Sequence, residues 1–262
     1  MKSVAFIIPV YNEEKRLSKT FAALRGLRMP ENLTLREVVF VDDGSTDRTK
    51  LKIKNEKLKL EKRLKTKVIL LSYPTNRGKG YAVRKGLAQV TADYGLLFDA
   101  DISTPLTEIS KFSETMEQGT DVIIGTRKNG KSTVVKHQPL LRETLGKGFT
   151  LITRYSLGVH VTDFTCGFKA FSRRALEQIV PELQINRWGY DAEILLVATQ
   201  KQLVMREIPV IWSNDTRTRV KLHKDVPQTL WDLMCIVWMH RIPFTSVLPT
   251  SAQIADDQIT VR

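Results

Sequence analysis

The chain has little cysteine. Only Cys166 and Cys235 occur, without metal-ligand spacing, so neither a disulfide framework nor a cysteine-bound metal is available. That usage fits a reducing compartment. The four histidines, His137, His160, His223 and His240, are scattered and form no metal-ligating cluster. No run of about 18 apolar residues is present, which excludes a membrane-spanning helix. The longest apolar segment, Leu230 to Met239, contains Asp232. The run Val4 to Val10 ends at Pro9 and Asn12-Glu13-Glu14, too early for a signal-peptide core. No internal repeat at solenoid spacing is found.

Acidic residues are also in short supply. Against 41 Lys and Arg stand 28 Asp and Glu, a net charge of +13 with a pI near 9.8. Such a surplus suits a polyanionic partner: nucleic acid, an anionic membrane surface or a phosphorylated substrate. The excess is uneven. Lys50 to Lys67 carries nine Lys or Arg against Glu56 and Glu61, which is 7 of the 13 net charges. Ile53, Leu60 and Leu64 share one helical face there, so the segment reads as an amphipathic helix with a solvated cationic side. A plain surface helix and a membrane-facing patch both fit. Nucleic acid fits less well, because no aromatic residue interleaves the lysines as a stacking platform requires.

What is present is an ordinary globular chain. Its 262 residues are 42% hydrophobic, enough to bury a core without disulfides as one domain with an appendage. Strands are predicted at Val4–Val10, Glu37–Val41, Val68–Ser72, Tyr94–Phe98 and Asp121–Gly125. Helices are predicted at Glu14–Leu27, after a Thr46 or Asp47 cap, after the loop Asn76-Arg77-Gly78-Lys79-Gly80 through Leu87, and at Leu106–Glu117. The alternation predicts an α/β fold with a mostly parallel sheet and helices on both faces. The second half is less regular. Helices are expected at Phe149–Leu157 with a stop at Gly158, at Arg173–Val180, Tyr190–Lys201 and Val226–His240. Asp163–Phe171 reads as irregular or stranded, and Val204–Trp212 as a strand.

Polar signals fall where strands end: Asp42-Asp43, Asp99-Ala100-Asp101 and Arg127. In open α/β sheets ligands bind at the carboxyl ends of strands. Asp99 and Asp101 repel each other unless a cation lies between them, and hard oxygen ligands select Mg2+ or Mn2+, whose shells are completed by phosphates and water. A solvated turn is the plainer reading of Asp-x-Asp taken alone. Asp42-Asp43-Gly44-Ser45 is no P-loop, lacking Gly-Lys-Ser/Thr; an acidic pair at a strand end suits a ribose or a base edge. Asn76-Arg77-Gly78-Lys79-Gly80 is a candidate anion cradle or simply a turn opening a helix.

These segments, in order, resemble family 2 glycosyltransferases: Pro9-Val10-Tyr11-Asn12-Glu13, Val41-Asp42-Asp43-Gly44-Ser45 and Asp99-Ala100-Asp101. Asn76 to Gly80, Asp163 with Cys166-Gly167-Phe168-Lys169, Asp191-Ala192-Glu193, Glu207-Ile208-Pro209-Val210 and Lys221-Leu222 are similar to the dolichyl-phosphate glucosyltransferase and mannosyltransferase branch. The resemblance spans about Val4 to His240. It implies a GT-A fold and an inverting, metal-dependent transfer of a hexose from a nucleotide sugar to a polyprenyl or dolichyl phosphate. The GT-A domain would cover 1–225, an amphipathic interfacial helix 226–244 and a loose tail 245–262. Carried over by position, Pro9, Tyr11, Glu13, Asp42 and Asp43 would hold the nucleoside. Gly78, Lys79 and Ala100 would line the donor site, and Asp99 and Asp101 would hold the metal. Arg127, Arg142 and Lys221 would meet phosphates.

Asp191 would act as catalytic base in relatives that glycosylate a hydroxyl; here it is open between that role, orienting the sugar and pairing with Arg187. Mannosyltransferases of the branch carry glutamine where this chain has Ser103, which tilts the donor towards UDP-glucose over GDP-mannose. Thr165 and Val220 stand where the branch usually has glutamine and serine. Eukaryotic glucosyltransferases of the branch carry an N-terminal anchor; a chain that starts at its first strand is expected to be a peripheral enzyme at the cytosolic face of a membrane, without a nucleic-acid partner. Three other readings stand beside this one: transfer to a sugar hydroxyl with Asp191 as base, a basic nucleic-acid-binding module, and a catalytically dead binder of sugar nucleotides.

Overall fold

The computed structural model describes residues 1–128, 132–136, 140–214 and 222–240, with the backbone alone at 140–143 and 222–224. The expected tail 245–262 and Lys221 lie outside the described residues, as does the Arg142 side chain.

β1 (Lys2–Val10) is buried from Val4 onward, and its alternation serves two cores. Ala5 and Ile7 face one side of the sheet; Val4, Phe6 and Ile8 face the other. β1 pairs in parallel with β2 (Leu33–Asp42) and β4 (Tyr94–Leu97), and β2 with β3 (Lys67–Ser72). β5 (Val122–Thr126) pairs in parallel with β8 (Met205–Pro209). Between β4 and β5 lies β7 (Lys169–Ser172), antiparallel to both. The sheet order is β3-β2-β1-β4-β7-β5-β8.

α1 (Leu17–Gly26), α2 (Thr49–Leu64) and α4 (Ile109–Glu117) cover the Phe6 face. Phe112 of α4 meets Phe168 edge to face at 5.1 Å. α3 (Lys79–Leu87), α6 (Arg173–Ile179), α7 (Tyr190–Gln200) and the inner side of α8 (Leu222–Met239) cover the other face. Each large apolar side chain removed from water contributes about 1.5–3 kcal/mol. The expected cap at Thr46 or Asp47 falls one or two residues early: the N-cap of α2 is Arg48, without a side-chain cap bond, and Asp47 just before it accepts from the Thr49 amide at 2.9 Å.

Two expectations need correction. α5 (Leu140–Leu157) starts nine residues before the expected Phe149, because Gly146 and Gly148, about 1 kcal/mol each in a helix, do not stop it. Val204–Trp212 is not one strand. Pro209 lacks an amide hydrogen, and the Glu108 carboxylate takes the Ile211 amide at 3.0 Å. The chain there leaves the main sheet, and β9 (Ile211–Ser213) pairs instead with β6 (Thr133–Lys136), a strand the sequence did not signal. The segment Asp163–Phe171, read as irregular or stranded, is irregular at first and then enters β7. Because β7 runs antiparallel, its first residue, Lys169, faces Leu97 and Ile124 near the carboxyl ends of β4 and β5. Residues 163–168 are thereby delivered to the edge where Asp99 and Arg127 emerge.

Candidate active site

The loop after β1 is tied to the start of α2. The Asn12 amide donates to Ser45 Oγ at 2.9 Å, and Asn12 Oδ1 accepts from the Thr46 amide at 2.8 Å. Pro9 is buried within the strand, while Tyr11 is 38% exposed beside it. Glu13 is ion-paired with Arg16 at 2.5 Å.

Asp42 and Asp43 are buried and heavily engaged. Asp42 accepts from the Ser45 amide at 3.0 Å and Ser72 Oγ at 3.2 Å. Asp43 accepts from the Arg77 amide at 2.8 Å, the Gly78 amide at 2.9 Å and Asn76 Nδ2 at 2.6 Å. The candidate anion cradle at Asn76–Gly80 therefore holds an anion of this chain's own, the Asp43 carboxylate. Gly78 is required there: its φ is +106°, and a Cβ would lie 2.3 Å from the Asn186 carbonyl oxygen.

The Asp99-Ala100-Asp101 turn is held by distant side chains. Thr20 Oγ1 donates to the Ala100 carbonyl at 2.5 Å, and Lys19 Nζ to the Asp101 carbonyl at 2.7 Å. The next residue, Ile102, is buried at φ 51°. A β-branched residue in that region costs about 1–3 kcal/mol and is retained where surrounding contacts over-determine it. Asp101 Oδ1 accepts from the Ser103 amide at 2.9 Å, and Arg16 Nη1 lies 3.7 Å from its other oxygen. Asp99 Oδ1 accepts from Lys79 Nζ at 2.6 Å. Its other oxygen abuts Gly167, where an added Cβ would stand 2.2 Å away. Burial opposes charge on Asp99, but Lys79, then Lys169 and Arg127, hold its carboxyl below the usual range. Burial, then the neighbouring Asp99 charge, push Asp101 up.

Phe98, Asp99, Ser103, Thr104, Gly167, Phe168 and Trp212 line a cavity at this turn. Among the described residues, no group of three or more His, Cys, Asp or Glu side chains converges to hold a metal ion. Two carboxylates at one turn, with burial and the Asp99 charge pushing Asp101 up, suit a hard divalent cation whose other ligands come from a diphosphate and water, so the residues present fit Mg2+ or Mn2+.

Two buried ion pairs flank the turn. Arg127 is clamped by Asp163, Nε to Oδ2 at 2.7 Å and Nη2 to Oδ1 at 2.8 Å, and its guanidinium lies 5.1 Å from the Trp212 ring centre. Asp163 is fully buried. Burial opposes its charge, yet Arg127 and then Lys128 bring its carboxyl down to about 2. Asp163 is placed in turn by Glu207, which accepts from the Thr162 and Asp163 amides. Lys169 is fully buried as well. Its ammonium donates to the Phe164 carbonyl at 2.9 Å, the Cys166 carbonyl at 2.6 Å and Asp191 Oδ1 at 2.5 Å. The described ion pair of Asp191 is thus with Lys169 and not with Arg187. Cys166 is buried, which pushes its thiol up to about 11 and makes it a packing residue.

The fold gathers Asp99, Ala100, Asp101, Lys79, Arg127 and Asp191 around one turn and sets Tyr11, Glu13, Asp42 and Asp43 at the ends of the two neighbouring strands. The roles of Asp163, Gly167 and Lys169 were not foreseen, although their motif stands out in the sequence. Arg16 and Ile102 carry no sequence signal.

The family description "Glycosyl transferase family 2" matches residues 5–180. The chain is 31% identical to dolichyl-phosphate beta-glucosyltransferase ALG5D of Trichomonas vaginalis over 91% of its length and 74% of that protein's. It is likewise 31% identical to the Saccharomyces cerevisiae dolichyl-phosphate beta-glucosyltransferase, over 89% and 73%. Among solved structures, Mycobacterium tuberculosis glucosyl-3-phosphoglycerate synthase in complex with UDP superposes with a TM-score of 0.63 at 17% identity, covering 92% of this chain and 81% of that one. The Pyrobaculum calidifontis mannosyltransferase PcManGT, in complex with GDP-Man and Mn2+, gives 0.56 at 19% identity over 96% and 80%. The strand order, the paired carboxylates at the end of β4 and these likenesses together identify the chain as a member of glycosyl transferase family 2, a glycosyltransferase with the GT-A fold.

Proposed function

We propose that the enzyme transfers glucose, with inversion, from UDP-glucose to a dolichyl or other polyprenyl phosphate. The observation that carries this reading beyond the relatives' names is the Asp191–Lys169 pair. A hydroxyl acceptor needs a carboxylate free to take its proton. Asp191, the candidate for that task, is held at 2.5 Å by a fully buried ammonium. A phosphate monoester has a second pKa of about 6 and is mostly dianionic at neutral pH, so it attacks without a base. The relatives' beta-linked product supports inversion, because UDP-glucose carries its sugar in alpha linkage.

In this reading Tyr11, Asp42 and Asp43 shape the nucleoside end of the cleft, with Pro9 and Glu13 as support. Asp99 and Asp101 would hold Mg2+ or Mn2+. When bound, the ion draws charge from the leaving diphosphate. Lys79, Gly78 and Ala100 border the diphosphate. Arg127, pre-oriented by Asp163, turns Nη1, which makes none of its clamp bonds, to a phosphate oxygen. Arg142 and Lys221 join the acceptor side on the resemblance alone. Two anionic reactants are brought together by fixed cations, so positioning and electrostatics supply the rate.

The acceptor lies in a bilayer, and one face of the protein suits its surface. α8 exposes Trp231 (60%), Met234 (65%) and Trp238 (81%), and α5, packed beside it, exposes Leu151, Ile152 and Tyr155. Among the described residues no helix is long and apolar enough to cross a membrane. Tryptophans on an amphipathic helix favour the interface, so we place this face against the cytosolic leaflet.

The test is transfer of radiolabel from UDP-glucose, GDP-mannose and UDP-N-acetylglucosamine, separately, into solvent-extractable lipid, with polyprenyl phosphate, with and without Mn2+, and beside Asp101→Ala. Metal-dependent label from UDP-glucose, absent in the variant, is expected. No label from any donor overturns the lipid acceptor. Asp191→Asn is expected to keep activity within about tenfold, whereas loss of a general base costs about 10²–10⁴-fold.

A further inference from the structure

We infer that Lys79 is an exchangeable counter-ion for Asp99, which yields that carboxylate to a divalent cation only when a diphosphate takes up its ammonium. The inference rests on the reading above that Asp99 and Asp101 receive the cation. It adds an order and a coupling between the two ligands.

The Asp99 carboxylate is held at both oxygens, although its side chain is 35% exposed. Oδ2 is backed by Gly167, where a Cβ would fall 2.2 Å away. Oδ1 bears the Lys79 ammonium at 2.6 Å. A cation that takes Oδ1, alone or together with Oδ2, competes with Lys79 for that atom. The backbone beneath Lys79 cannot shift to relieve this. Gly78 donates to Asp43 at 2.9 Å, and the Gly80 Cα faces the Ile185 carbonyl oxygen so closely that a Cβ would stand 2.5 Å from it. What can move is the four-carbon stem, the flexible part of a lysine. The ammonium also has other surfaces within reach, at 5.7 Å from both the Trp188 and the Tyr190 ring centres.

A nucleoside diphosphate presents a denser negative charge than one carboxylate. Drawing the ammonium to it frees Asp99 Oδ1, and each ligand then raises the affinity for the other by the same factor. Direct contact between the cation and the diphosphate also couples them, so the signature of Lys79 lies in cation binding without nucleotide.

The experiment measures free Mn2+ by electron paramagnetic resonance in titrations of the full chain, alone and with saturating UDP, for the wild type, Lys79→Met and Lys79→Arg. Thermal melting verifies that each variant is folded. The expected result is that Lys79→Met binds Mn2+ without UDP about tenfold more tightly than the wild type, with the UDP-dependent gain reduced by the same factor. Lys79→Arg, which keeps the charge, stays close to the wild type. Unchanged or weaker Mn2+ binding by folded Lys79→Met without UDP, while the wild type binds Mn2+ with UDP, overturns the exchange alone. Absence of Mn2+ binding by the wild type with UDP overturns the metal reading on which it rests.

Discussion

Gly167→Ala tests how the turn after β4 is held. Gly167 packs its Cα directly on the Asp99 carboxylate: a Cβ would stand 2.2 Å from Oδ2 and 2.7 Å from Cγ. Ordinary contact begins at 3.4 Å, so the carboxylate or the 163–168 segment must move by about 1.2 Å (3.4 − 2.2). The segment has little slack, being pinned by Lys169 through the Phe164 and Cys166 carbonyls and by Asp163 through Arg127. The shift therefore falls on the carboxylate, whose partner Lys79 can follow it on a flexible stem. Overpacking of this kind costs about 1–3 kcal/mol of stability, which leaves a folded protein. Displacing a reacting group by about 1 Å costs about 10²-fold in rate. The variant is thus expected to melt within several degrees of the wild type while its kcat/KM for lipid-linked glucose falls about a hundredfold. Wild-type kcat/KM in Gly167→Ala would refute the view that the Gly167–Asp99 contact sets the geometry of the site.

Lys169→Met leaves Asp191 buried without its partner and should cost about 3–5 kcal/mol in urea unfolding, most of which Lys169→Met with Asp191→Leu restores. A double variant as unstable as the single one would show that Lys169 acts through its carbonyl bonds instead. Asp163 titrates near 2 in the folded protein, below its unfolded value near 4, so its contribution of about 2 kcal/mol is complete above pH 4 and is lost as the pH falls towards 2. The stability difference between the wild type and Asp163→Asn, from urea midpoints, should shrink over that window, and a constant difference would contradict it. Trp231→Ser with Trp238→Ser should reduce co-sedimentation with phosphatidylcholine–phosphatidylserine vesicles while transfer to a short-chain, detergent-dispersed acceptor persists; unchanged sedimentation would move the membrane face elsewhere.

Much of the first half of the fold was legible. Val4–Val10, Val68–Ser72 and Tyr94–Phe98 are apolar runs bounded by turn residues, and the strands end within two residues of those limits. Asp99, Asp101 and Arg127 were found because their sheet is parallel and the ends of its strands share one edge. The second half was harder to read because its partners are remote. β7 is four residues long, and what makes it a strand is the gap between β4 and β5, not its own pattern.

The sequence by itself determined the α/β class, the carboxyl-end location of the site, the paired carboxylates and the family, since each depends on short-range periodicity or on ordered motifs. Tertiary structure alone decided which charges meet. The Asn76–Gly80 loop, an anion cradle or a plain turn by sequence, receives Asp43; Asp191, open between base, sugar orienter and partner of Arg187, is ion-paired with Lys169; Gly167, known only as part of a motif, lies against Asp99. A buried charge takes the opposite charge or the amide donors nearest in space, and spatial proximity across 22 or 34 residues of chain is set by the packing of the sheet, not by local spacing.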